Sequence, residues 1–184
     1  MSRSELISTL KRGLVSTSMV LMTLGMIPAA YAATLAAVSF PEQTTLAGKT
    51  VVLNGLGVRN ATMLKVRVYV IGLYLSGGNQ RIAMYFVHDV SADKLRGGWT
   101  EGFEDNTADV ASVKDEIAKF NASMRDVKSG ASIVLDVSGD GVDALVNDTR
   151  IDSIAGKAFQ QALLAIWLGP RPPNEELRQA ILGR

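Results

Sequence analysis

The 184-residue chain has no cysteine and a single histidine, His88. The first absence rules out disulfides, thiol catalysis and cysteine metal sites, and leaves the compartment open. The second argues against chemistry that needs several imidazoles, such as a zinc triad or a histidine oriented by partners for nucleophilic attack. His88 stands beside Asp89 with no HxH or HExxH spacing, which fits a surface or strand-edge residue. Neither sign of charge dominates: 19 basic and 18 acidic residues give a formal net charge of +1. With no Lys/Arg block, no pull on nucleic acid is expected and no nucleic-acid partner follows. Aromatic residues make up only 6%, yet apolar residues reach 47%, enough for one packed domain and too many for disorder.

Long apolar runs are missing except near the start. Leu14 to Ile27 is apolar or small, Lys11 and Arg12 precede it, and Ala30-Tyr31-Ala32 has the small-x-small form of a cleavage site. Residues 1–32 therefore read as a secretory signal peptide and 33–184 as the domain. The run is shorter than the ~20 residues that a spanning helix needs, so no stable membrane insertion is expected after cleavage. The alternative is an uncleaved anchor. Cleavage would remove Arg3, Lys11, Arg12 and Glu5, taking the net charge from +1 to −1. A periplasmic or secreted location follows as an expectation.

Several motifs are imitated without being completed. Asp136-Val137-Ser138-Gly139-Asp140-Gly141 opens like a calcium loop, but its twelfth position is Asn147 where a bidentate glutamate is needed. Gly55-x-Gly57-x-x-Asn60 lacks the third glycine of a dinucleotide fingerprint, and a strand follows where a helix is required. Glu101, Glu104 and Asp105 read as a solvated helix face rather than a catalytic pair. No cofactor and no metal site is expected.

The stretch Thr50 to Leu75 organises the chain. Thr50–Asn54 reads as a strand, Gly55 to Asn60 as a turn, and Leu64–Leu75 as a second strand. In the latter, Val66, Val68 and Val70 alternate with Lys65, Arg67 and Tyr69, the pattern of a half-buried strand. The two glycines permit a bend or a close approach. Ala33 to Ala47 is a lead-in broken at Phe40-Pro41, and Arg81–Val87 a third strand. Ser91 caps a helix to about Phe103, and Asp109 to Met124 is a helix with Val113, Ile117 and Phe120 on one face. Ile133–Val137 and Val142–Val146 form a hairpin. Ile154 to Leu168 is an apolar helix burying Phe159, Leu163, Ile166 and Trp167, stopped by Gly169 and the following prolines; Asn174 caps a last helix, Glu175–Leu182. This order predicts an α+β fold, an antiparallel β-sheet covered on one face by a helical layer.

GLGVR followed by a strand ending VIGLYL, together with DVSADKLRGGWTEGF and AIWLGPRPPNEELRQAILG, resembles the chalcone isomerase-like family and its bacterial secreted branch. The resemblance covers nearly all of residues 33–184. It implies an open-faced sheet layered by helices, with a ligand cleft between them. By spacing alone, Arg59 suits a surface ion pair and Tyr69 simple packing. The resemblance points elsewhere: Arg59 matches the main catalytic electrostatic residue of chalcone isomerases, and Arg59 with Tyr69 matches the carboxylate-holding pair of the fatty-acid-binding relatives. Arginine offers a planar fork of donors to a carboxylate or phenolate, and tyrosine adds a hydroxyl. True chalcone isomerases carry threonine at the position of Tyr69 and need a tyrosine on the helical layer near Gly102–Asp105. This chain has no tyrosine after Tyr85, and the asparagine partner is unmatched too.

Three functions remain open on these residues. The first is an exported, non-catalytic binder of a small hydrophobic carboxylate or phenolate, such as a fatty acid, held by Arg59 and Tyr69. The second is an intramolecular lyase of the chalcone-to-flavanone type. The third is an envelope protein-interaction module, hinted at by Pro170-Arg171-Pro172-Pro173.

Overall fold

The computed structural model describes residues 32–61, 66–139 and 141–184. Apart from Ala32, the expected signal peptide lies outside them, as do Leu64, Lys65 and Asp140. The Ala33–Ala47 lead-in is no connector but three short strands: β1 (Ala32–Leu35), β2 (Val38–Pro41) and β3 (Gln43–Leu46). They precede β4 (Lys49–Ala61), β5 (Val66–Ser76) and β6 (Asn79–Phe86). After two helices, α1 (Ala92–Asn106) and α2 (Lys114–Ser123), come β7 (Ser132–Ser138), β8 (Gly141–Val146) and β9 (Thr149–Ala155). Two further helices, α3 (Lys157–Leu168) and α4 (Glu175–Ile181), end the fold. Strands β3 to β9 form one antiparallel sheet in sequence order, while β1 and β2 pair only with each other.

Neighbouring strands are joined by tight turns wherever two successive residues hold positive φ: Ala36-Ala37, Ala47-Gly48, Gly77-Gly78 and Asn147-Asp148. Such turns match the right-handed twist of the strands they join. Helices cover one face of the curled sheet. The core there includes Ile71, Leu73, Ile82, Met84, Phe103, Phe120, Phe159 and Trp167. The opposite face carries a smaller cluster under the β1–β2 hairpin, with Phe40 fully buried against Tyr85, ring centroids 5.0 Å apart.

Two expectations about the sheet need correction. Gly55 to Asn60 is not a turn but the second half of β4, paired residue by residue with β5. The glycines serve close approach instead. A Cβ on Gly57 would lie 2.6 Å from Leu177 Cδ1, and one on Gly55 would collide with the backbone of Ala180 and Ile181. Helix α4 thus rests directly on the strand, and Asn54 Nδ2 donates to Ile181 O at 2.8 Å. The apolar helix also starts later than expected. Ile154 belongs to β9, an edge strand, and Gly156 at φ 120° separates strand from helix.

Candidate functional site

Three consecutive same-face positions of β4 explain where Arg59 points. Alternation puts Gly55, Gly57 and Arg59 on the helix-covered side. The two glycines lie beneath α4; Arg59, two residues on, lines open space rather than α4. Its register partner on β5 is Tyr69, so the two side chains stand directly opposite each other.

The expected alternation of β5 breaks at this point. Arg59 pairs with Tyr69 and Asn60 with Arg67, so Val68 has no partner on β4. This bulge brings both Val68 and Tyr69 onto the cavity side, whereas simple alternation separates them. Beyond the bulge the pattern resumes: Val70 and Tyr74 join the cluster on the opposite face, Ile71 and Leu73 the main core.

Arg59 and Tyr69 line a cavity of about 510 Å³ between the sheet and α1. That volume lies within the range of small-molecule sites. Its apolar lining includes Val68, Phe86, Leu95, Trp99 and Ile166. The charged residues of its lining include Lys94, Glu101, Asp105 and Arg171. Of the acidic trio noted in the sequence, Glu101 and Asp105 therefore face the cavity and Glu104 does not. His88 and Asp89 border it at the end of β6, both exposed. The segment after α3 closes one side. Pro172 and Pro173 line the cavity, and Asn106 grips the backbone of Arg171 from both sides, Nδ2 to its carbonyl at 2.9 Å and Oδ1 from its N–H at 2.8 Å. Arg171 also reaches Asp105 at 3.6 Å.

Tyr69 is held from behind. Its hydroxyl accepts a hydrogen bond from Nε1 of the fully buried Trp167 at 3.1 Å, and its ring meets Phe86 edge-on at 5.5 Å. Burial raises the Tyr69 pKa, opposed in part by the Trp167 hydrogen bond and by the positive charge of Arg59. The phenol stays protonated at neutral pH. Since Trp167 occupies a lone pair and no described residue accepts from Tyr69, the O–H remains available to a guest. Arg59 donates from Nη1 to the carbonyl of its neighbour Asn60. Among the described residues no carboxylate pairs with it, so the ion pair that spacing alone would suit is not seen and further guanidinium donors are left. The Asp136 of the apparent calcium loop is instead locked to Arg81, at 2.5 and 2.7 Å, on the sheet itself.

Sequence reasoning missed Trp167 as the support of Tyr69, expecting it only to pack. It also missed Trp99 and Arg171 as parts of the cavity. Trp99 follows a glycine pair and Arg171 sits among prolines, but contact across 60 to 100 residues leaves no local signal.

Residues 32–183 match the chalcone isomerase-like family. The chain belongs to the chalcone isomerase-like family. Among solved structures, a fatty-acid binding protein of Arabidopsis thaliana is similar with a TM-score of 0.67 and 12% identity, over 83% of this chain and 96% of that one. At that identity the likeness is one of fold. No curated protein matches the sequence. The curled antiparallel sheet with four helices matches that fold.

Proposed function

We propose that the protein is exported and binds a small hydrophobic anion, such as a fatty acid, without transforming it. The carboxylate would lie between the Arg59 guanidinium and the Tyr69 hydroxyl, with the hydrocarbon against Val68, Phe86, Trp99 and Ile166. The observation that carries this reading is the placement of Arg59 and Tyr69 directly opposite each other on one wall of a single cavity. Both retain donors, and a charge-assisted arginine hydrogen bond is about twice as strong as a neutral one. The structurally similar Arabidopsis protein is a fatty-acid binding protein, which supports the same ligand class.

Isomerisation would need further donors aimed at a developing oxyanion, each supplying roughly 3–4 kcal/mol. The helical wall offers no tyrosine for that purpose, since none follows Tyr85. Binding needs only the clamp and the apolar slot. Native mass spectrometry of freshly purified protein, followed by titration with a panel of fatty acids, tests the proposal. A co-purifying acid or a saturable affinity supports it; an empty cleft with no affinity for any member refutes it.

A further inference from the structure

Helix α1 presents two rows to the cavity. Leu95, Trp99 and Gly102 form the inner row, and Lys94, Gly98, Glu101 and Asp105 the outer, exposed one. Spacings of three and four residues place each row on one side of the helix. The outer row therefore has three long or charged side chains and one gap, at Gly98.

No packing contact among the described residues accounts for that gap. Glycine in a helix interior is unfavourable relative to alanine, because it has more backbone freedom to lose. Gly102 has a packing reason: a Cβ there would stand 2.8 Å from Ile166 Cγ2. Gly98 has none among the described residues, since its Cβ would meet none of them within 4 Å and its φ is not in the positive range. Its neighbour Gly97 is equally uncrowded. Of the two, Gly98 lines the cavity and Gly97 does not.

We propose that Gly98 sets the width of the cleft and is the specificity-determining position against which the hydrocarbon of the ligand lies. The inference rests on the binding reading above. Arg59 and Tyr69 occupy the sheet wall and α1 the helical wall, so a chain leaving an anion clamped at Arg59 runs between them. A side chain at 98 would enter that space; one at 97 would not.

The test measures octadecanoate affinity and melting temperature for the wild type, Gly98→Leu, Gly98→Ala, Gly97→Leu and Arg59→Ala. Filling the slot at 98 with leucine is expected to weaken binding at least about tenfold, the scale of a misfit of one or more methylenes in an apolar pocket. Gly98→Ala should weaken it in the same direction by less, while raising the melting temperature by about 1–4 °C through helix propensity. Gly97→Leu should bind as the wild type does. If both Gly98 variants bind with undiminished affinity while Arg59→Ala loses binding, the role of Gly98 is overturned and the anion clamp stands. If the wild type itself fails to bind, both fall together.

Discussion

Trp167 Nε1 donates to the Tyr69 hydroxyl at 3.1 Å, linking α3 to β5 across 98 positions of sequence. The bond fixes the tyrosine oxygen and leaves its proton to face elsewhere. It also satisfies the indole of a residue with no exposure at all. Tyr69→Phe would leave that N–H buried and unpaired. A stability loss of about 1–3 kcal/mol is expected, measured by denaturant unfolding, together with weaker ligand retention. No loss of either kind would mean that the hydroxyl is a bystander.

Trp167 also meets Trp99 edge-on at 5.6 Å and lies beneath the cavity-lining residues. Trp167→Ala should cost about 3–5 kcal/mol, read as a fall in the denaturant midpoint. A cost below about 1 kcal/mol would show that the helical layer collapses readily into the void.

The glycines of β4 make a separate prediction. Gly57→Val must displace Leu177, and with it α4, so a destabilisation of about 1–3 kcal/mol or more is expected from overpacking. Hydrogen exchange should show the added mobility in α4 rather than in β7–β9. A variant as stable as the wild type would mean that α4 does not rest on the strand.

Tyrosine burial sets the alkaline limit. The Tyr74 hydroxyl donates to Pro41 O at 3.0 Å, and burial, with Tyr85 nearby, pushes its pKa up to about 12 from 10.0. Tyr69 is raised as well, chiefly by burial. Both groups bind protons more tightly folded than unfolded. Their contribution is therefore fully present below about pH 10 and is lost as pH rises towards and through the folded values, so stability falls between about pH 10 and 12. Unfolding free energy measured across that window, alongside ultraviolet titration of the phenolates, checks the sign; a rise in stability would contradict it.

The sheet-and-helix plan is legible in the sequence because its signals are local. Ile117 and Phe120 sit buried on α2, but the expected helix from Asp109 is broken, since Val113 ends a separate 3-10 turn, Val110–Val113; Ser76 to Asn79 turns between strands where expected, and Ser138 pairs with Gly141. Strands β1–β3 escape notice because they are four residues each and flanked by alanine at positive φ. The role of Gly55 and Gly57 is half legible: close approach is readable, but its partner, α4, lies over 100 residues away. Arg59 and Tyr69 stand out through family resemblance rather than pattern. The bulge at Val68 shows why pattern alone misleads there, since it brings two adjacent residues to one wall.

The most direct test of the clamp compares fatty-acid affinity and unfolding stability in the wild type and Arg59→Ala. An anion held by Arg59 predicts that binding is lost in the variant while stability changes by about 1 kcal/mol or less, as for a single hydrogen bond. Undiminished affinity, or a folding loss of several kcal/mol that accounts for the missing ligand, would contradict it.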